Sequence, residues 1–94
     1  MTFGETIRQL REAKGLLLRQ VAAGADMDTA LLSKIERGER KALKEQVDKI
    51  AILLSIEEKE LTTIWLTDKI LELIKGFPVA DIALENALKE LRRK

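Results

Sequence analysis

The sequence predicts an all-α fold. Apolar residues recur at steps of three and four along most of the chain, which is the spacing of one face of an amphipathic helix. Hydrophobic residues make up 46% and charged residues 35% of the 94 positions, and there are one proline and five glycines. This composition suits a compact helical domain and argues against disorder and against a β-sandwich. A chain of this size has room for one small core.

Helix boundaries follow from the apolar spacing and from the residues that cap or break helices. Phe3, Ile7 and Leu10 mark the first helix, and Gly15 follows its end. Asp28 suits the N-cap of the third helix, which stops at a glycine. The predicted helices span residues 2–14, 18–24, 28–38, 44–54, 57–75 and 79–93, and the segment 76–78 breaks the chain between the last two.

The third predicted helix has two chemically different faces and follows the second after about three residues, which is the spacing of a helix-turn-helix. When each residue turns the helix by about 100°, Leu31, Leu32 and Ile35 fall on one side. The other side is small or hydroxylated near the helix start, basic towards its end, and free of acid. It consists of Thr29, Ala30, Ser33, Lys34 and Arg37, with Glu36 at its border.

Such a face can enter the major groove of B-DNA, where each base pair presents a distinct pattern of donors and acceptors. The basic residues around Gly38 are placed to meet phosphates on the flanking strand, which would make the affinity depend on salt. An ordinary amphipathic surface helix is the alternative, and it explains the aliphatic side but not the missing acids.

Charge is segregated along the chain although the net charge is only +1. Residues 34–44 carry five basic and two acidic side chains, whereas residues 50–91 carry four basic and eight acidic ones. This pattern can produce a basic patch that faces an anionic partner, although charged residues that merely solvate helix surfaces would give the same count.

We identify no enzymatic site. The chain has no histidine and no cysteine, which removes the commonest general base and the commonest metal ligands. Asp26 and Asp28 are better explained as a turn former and an N-cap than as a metal pair. We therefore predict no catalytic residue, cofactor or metal, and little space for a small-molecule pocket. Without a long apolar run or a signal peptide, we expect a cytoplasmic protein that does not contact membranes.

The fifth predicted helix carries two apolar stripes on nearly opposite sides. One stripe contains Leu61, Ile64, Trp65 and Leu71 and can cover the core, so we expect the tryptophan to pack there. The other stripe and the stripe of the sixth helix either pair as a hairpin within one chain or meet a second subunit. We favour a homodimer because one short recognition helix rarely gives enough affinity. The predicted dimer interface is Leu66, Ile70, Leu73, Ile74, Leu84 and Leu88.

Residues 7–56 resemble the helix-turn-helix domain of the phage repressor, Cro and XRE-type transcriptional regulators. The matching segments are IRQLREAKGL at 7–16, VAAGADMDTALLSKIERGER at 21–40 and VDKIAILLSI at 47–56. The resemblance implies a five-helix repressor-like DNA-binding domain over residues 1–58, and a C-terminal helical extension over residues 59–94 that we expect to dimerise. It also implies a partly buried ion pair between Arg11 and Glu36. It assigns base contacts to Thr29, Ala30, Ser33 and Lys34, and our predicted phosphate contacts are Arg19, Arg37, Arg40, Lys41 and Lys44.

This chain departs from the family pattern in three places. Family members often begin the second helix with a small polar residue and a glutamine that meet a phosphate, where this chain has Leu17 and Leu18. Asp26 stands where glycine is usual, and aspartate can adopt the left-handed conformation at modest cost. The start of the third helix offers no Gln, Asn or Arg for bidentate pairing, so we expect modest base specificity with Lys34 towards guanine as the main polar contact.

We interpret the chain as a sequence-specific DNA-binding transcriptional regulator that binds a pseudo-palindromic operator in double-stranded DNA as a dimer. It would act by excluding or recruiting RNA polymerase. Small stand-alone chains of this family resemble the controller proteins of restriction-modification systems, which is the subclass we favour. Two alternatives stay open: an antitoxin whose second half binds a toxin protein, and a protein-binding adaptor on the same scaffold.

Overall fold

The computed structural model describes residues 1–93, and within that range it contains six helices and no strand. The helices are α1 Phe3–Ala13, α2 Leu18–Gly24, α3 Thr29–Glu36, α4 Lys44–Leu53, α5 Glu58–Ile74 and α6 Ala80–Arg92. Each boundary lies within two residues of its predicted position, and the all-α prediction is confirmed. Across the described residues, no helix is both long and apolar enough to span a membrane.

Side-chain caps explain where two of the helices begin. At α1, Thr2 Oγ1 accepts a hydrogen bond from the Glu5 N–H at 3.1 Å, and Glu5 Oε1 accepts one from the Thr2 N–H at 2.9 Å. This reciprocal arrangement is a capping box. At α3, Asp28 Oδ1 accepts a hydrogen bond from the Leu31 N–H at 2.7 Å. The N-cap predicted for Asp28 is therefore present, and it satisfies an amide that the helix itself leaves unpaired.

Helices α1 to α5 together enclose one hydrophobic core. Leu32 from α3, Ile50 from α4 and Leu61 from α5 are completely buried in it. The backbones of α1 and α3 approach closely at Gly4. A Cβ atom added to Gly4 would lie 2.4 Å from the carbonyl oxygen of Ile35. Only a residue without a side chain allows this approach, so Gly4 positions α1 directly against the back of α3.

The second half of α5 and all of α6 extend beyond this core. α6 buries none of its residues, and Leu61 is the only buried residue of α5. The sequence predicted that Leu71 packs on the core, and this is wrong: its side chain is 53% exposed. The helical spacing is correct, but α5 continues past the last element that could cover Leu71.

The structure does not form the intramolecular hairpin that was the alternative to a dimer. Leu84 and Leu88, which face inward in such a hairpin, remain 42% and 43% exposed. The outer stripe of α5 is exposed as well, at Leu66, Ile70 and Leu73. A single chain therefore leaves two rows of large aliphatic side chains in contact with water.

Candidate nucleic-acid interface

The turn between α2 and α3 sets the direction of the third helix. Asp26 adopts a φ of 56°, which is the left-handed conformation expected at this position. The Met27 N–H donates to the carbonyl oxygen of Ala22 at 3.0 Å and closes the end of α2. Lys49 Nζ donates to the Asp26 carboxylate at 2.6 Å, and this hydrogen bond lowers the pKa of Asp26. The turn is thereby tied to α4.

α3 buries its aliphatic side and exposes the acid-free side. Leu32 and Ile35 are buried, and the half-buried Leu31 packs against the core. The opposite side consists of Thr29, Ala30 and Lys34, which are exposed, and Ser33, which is half-buried. The strip that the sequence assigned to the major groove is therefore open to solvent, and no other part of the described chain packs over it.

The ion pair between Arg11 and Glu36 is present and holds the back of α3. Arg11 Nε and Nη2 donate to the two carboxylate oxygens of Glu36 at 2.8 and 3.1 Å, and Nη1 donates to the Leu16 carbonyl oxygen at 2.9 Å. The side chains are only 11% and 5% exposed. Hydrogen bonding to Glu36 raises the pKa of Arg11. A guanidinium is charged throughout the physiological pH range, so both bonds are charge-assisted. Glu36, the acid at the border of the recognition face, is thus buried and neutralised.

The predicted phosphate contacts fall into two groups. Arg19, Arg40 and Lys41 are exposed and form no ion pair within residues 1–93. Arg37 instead donates from Nε to Glu39 at 2.7 Å and from Nη1 to Ser33 Oγ at 2.9 Å. The partners of Lys44 are the carboxylates of Asp48 and Glu58. A phosphate contact by Arg37 or Lys44 would therefore require the side chain to leave its acidic partner.

The amide of Leu17, the N-cap of α2, is already satisfied within the protein. The N-cap Leu17 has no side-chain acceptor, and the Gln20 side-chain oxygen accepts the Leu17 N–H at 2.7 Å. Leu17 itself is exposed. The N-cap of this helix therefore offers neither a polar side chain nor a free amide to a phosphate.

Two long-range contacts that support the site had no signal in the sequence. Asp68 Oδ2 accepts a hydrogen bond from the Phe3 N–H at 2.7 Å, which fixes the start of α1 on α5. The Trp65 indole N–H donates to the Ala42 carbonyl oxygen at 2.9 Å and holds the segment that follows the basic residues. The partners are separated by 65 and 23 residues, so helical spacing could not pair them. The expected packing of Trp65 against the core is present.

A groove of about 500 Å³ lies behind the basic segment, between α1, residues 38–42 and the second half of α5. The sequence led us to expect little space for a pocket, and that expectation is wrong. The second half of α5 extends beyond the core and forms one side of the groove, and the number of helices in the chain does not predict this extension. The apolar lining of the groove is Phe3, Ile35, Ala42, Trp65, Leu71, Ile74, Phe77 and Ala80. Within residues 1–93, no cluster of three or more acidic, histidine or cysteine side chains could hold a metal ion.

Comparison with known proteins agrees with this geometry. The sequence profile of a family described as a helix-turn-helix domain matches residues 2–62. The chain belongs to this family. Among solved structures, it is similar to the restriction-modification controller protein C.AhdI from Aeromonas hydrophila, with 37% identity and a TM-score of 0.58. The similarity covers 63% of this chain and 86% of that one. A search of curated proteins finds no match.

The family and the exposed recognition face together establish an XRE-like DNA-binding transcriptional regulator. The matched residues contain α1 to α4 and only the beginning of α5. Most of the exposed apolar surface therefore lies outside the part that defines the family. This helix-turn-helix protein therefore carries an additional helical region beyond the family match.

Proposed function

We propose that this regulator binds a pseudo-palindromic operator as a homodimer, with α3 of each subunit in one major groove. The observation that carries the proposal is the exposed, acid-free strip on α3 opposite its buried aliphatic residues. Thr29 and Ala30 offer small apolar contacts to thymine methyl groups, and Lys34 offers a donor to guanine. The strip is narrow at its start, which lets the helix approach base edges.

Phosphate contacts would come from the residues that follow α3. Arg40 and Lys41 are exposed cations on the segment that leaves the recognition helix, and the Trp65 to Ala42 hydrogen bond fixes the end of that segment. Such contacts release counterions from DNA and position the protein without reading sequence. Arg19 extends the same role to α2.

The dimer is supported by the outer stripe of α5. Leu66, Ile70 and Leu73 are exposed in one row, which water-exposed surfaces of monomeric proteins rarely contain. A dimer carries two recognition helices, and an operator with two half-sites about 34 Å apart would match them.

The subclass we favour is a controller of a restriction-modification system. The support is the 37% identity to C.AhdI, which is such a controller protein, over 86% of its length. The regulator would occupy a promoter and exclude RNA polymerase, or dock beside it and recruit the polymerase.

Selection of bound sequences from a random pool of double-stranded DNA tests binding, specificity and half-site spacing together. We expect an enriched motif with two inverted half-sites about one helical turn apart and an affinity that falls steeply with salt. Arg40→Glu combined with Lys41→Glu should abolish enrichment. Lys89→Glu, an exposed charge change in α6, is the matched control and should leave enrichment intact. Recovery of no motif, or equal enrichment by both variants, would contradict the proposal.

An antitoxin remains a second candidate, favoured by the apolar surface outside the family match. A toxin protein would then cover the second half of α5 and α6. Purification of the protein from its native host separates the two functions: an antitoxin emerges with a small protein partner, whereas the proposed regulator emerges alone and binds its operator. A protein-binding adaptor predicts that the operator selection fails.

A further inference from the structure

The groove behind the basic segment and the exposed face of α6 are complementary surfaces of one chain. The groove has an apolar floor, and of α6 only Ala80, at its start, contributes to the lining. The rest of α6 leaves the groove, so a chain cannot fill its own groove with its own helix in this conformation. We propose that α6 of one subunit docks into this groove of a second copy, and that the exchange is reciprocal. This deepens the proposed homodimer and rests on it.

The apolar residues of α6 have the spacing of a helix that binds in a groove. Leu84, Ala87, Leu88 and Leu91 stand at positions i, i+3, i+4 and i+7, the pattern by which an amphipathic helix inserts its anchors. All four are exposed in the single chain. An amphipathic helix of 13 residues that buries none of its side chains is marginally stable in water. Docking would give α6 the tertiary packing that it lacks within its own chain.

The charges around the two surfaces also match. Four basic residues line the groove, and one of them, Lys75, is paired with Glu72. The acid Asp68 accepts the Phe3 N–H. The remaining cations make no ion pair within the described chain: Arg40 and Lys41, which are proposed above to contact phosphates, and Lys69, whose Nζ lies 4.4 Å from the centroid of the Trp65 ring.

The acids of α6 lie beside its apolar anchors. Asp81 and Glu85 fall about 60° and 100° from Leu84 around the helix, on one flank of the stripe. Neither forms an ion pair within residues 1–93. A second copy therefore brings two acids without ion-pair partners to a groove in which Lys69 is paired neither with an acid of its own chain nor with the proposed DNA phosphates. This favours α6 over an anionic small molecule, which would leave the aliphatic face of α6 in water.

Trp65 reports occupancy of the groove directly, because it is the only tryptophan and its side chain lines the groove. We expect its fluorescence emission to shift to longer wavelength when the wild-type protein is diluted and the helix leaves. Leu84→Glu combined with Leu88→Glu should give the long-wavelength emission at every concentration. The change cannot disrupt the core, since α6 buries no residue.

Ile82→Glu is the matched control. Ile82 is exposed but lies about 160° from Leu84, on the far side of the helix. This variant should behave as the wild type. The proposal would be overturned if the emission of the wild type did not change on dilution. It would also be overturned if the emission of the double variant shifted on dilution as much as that of the wild type. Emission that is independent of dilution and shifts only on addition of decanoate would overturn it in favour of a small amphipathic anion.

Cross-linking gives a second readout, because the chain has no cysteine of its own. Protein with Lys69→Cys, mixed with protein carrying Glu85→Cys, should form a disulfide-linked heterodimer under mild oxidation. Mixing Lys69→Cys with Ile82→Cys should not. Equal yields from the two mixtures would contradict the exchange. Neither experiment contains DNA, so an operator motif without helix exchange refutes this inference alone, and helix exchange without an operator refutes only the proposed function.

Discussion

The guanidinium of Arg11 forms two parallel hydrogen bonds to the carboxylate of Glu36, at 2.8 and 3.1 Å, and so joins α1 to the end of the recognition helix. Both side chains are nearly inaccessible to water. The pair fixes the angle of α3 and keeps its last acid away from the surface offered to DNA.

Removing one member of this pair should destabilise the protein strongly. Arg11→Ala leaves a buried carboxylate without its partner, and we expect the free energy of unfolding to fall by about 3 kcal/mol. Urea denaturation at one fixed protein concentration measures it. Arg8→Ala breaks the exposed pair with Glu12 and is the control, with an expected change below about 1 kcal/mol. Equal losses in the two variants would show that the Arg11 pair has no special role.

Gly4→Ala should destabilise the packing of α1 on α3. The new Cβ would lie 2.4 and 2.5 Å from the carbonyl oxygens of Ile35 and Glu36, and backbone cannot move aside as a side chain can. We expect a loss of roughly 2 kcal/mol in thermal or urea unfolding. Gly24→Ala is the matched control, since its Cβ meets only the flexible side chain of Leu53, and it should change stability by less than about 1 kcal/mol. A stable Gly4→Ala protein would contradict the close approach.

Base and phosphate contacts should respond differently to mutation. Lys34→Ala removes the main polar donor of the recognition face and should relax the preference among operator variants. Arg40→Ala should instead weaken binding to all sequences by a similar factor and lower the salt slope by about one. Affinities for a panel of operator variants at several salt concentrations measure both. An unchanged preference in Lys34→Ala would exclude it from base readout.

Glu39→Gln should strengthen DNA binding. In the free protein Glu39 holds Arg37 through a hydrogen bond of 2.7 Å, and the same contact lowers the pKa of Glu39. Loss of the carboxylate frees Arg37 for phosphate and removes a negative charge beside the duplex. We expect a several-fold gain in affinity that disappears at high salt. The combination Glu39→Gln with Arg37→Ala should lose the part of the gain that comes from Arg37, and a gain of the same size relative to Arg37→Ala would assign it to charge removal alone.

The Asp26–Lys49 pair should make stability depend on pH. The folded-state pKa of Asp26 lies below its ordinary value of 3.8, so the pair stabilises the protein above that value. The contribution is lost as the pH falls through the lower, folded-state pKa. The difference in unfolding free energy between the wild type and Asp26→Asn should be constant well above pH 3.8 and shrink below it. Asparagine is chosen because it retains the left-handed conformation, and a difference that grows on acidification would contradict the sign.

The sequence determined the helices, the recognition strip and the turn chemistry. Each depends on neighbours along the chain. The spacing of Leu31, Leu32 and Ile35 decides which side of α3 is buried. Asp28 caps α3 by accepting the N–H of Leu31, which is three residues further along the chain. These relationships lie within one helical turn, where geometry is fixed by the pitch. The Arg11–Glu36 pair was expected through resemblance to the family.

Only the tertiary structure decided which residues from distant parts of the sequence are in contact. The contacts of Asp68 with Phe3 and of Trp65 with Ala42 join residues far apart in sequence, and helical periodicity contains no information about them. For the same reason periodicity placed Leu71 on a core-facing stripe but could not show that the core ends before it. The apolar pattern along one helix gives the side of the helix on which a side chain lies. The packing of the other helices decides whether that side chain is buried.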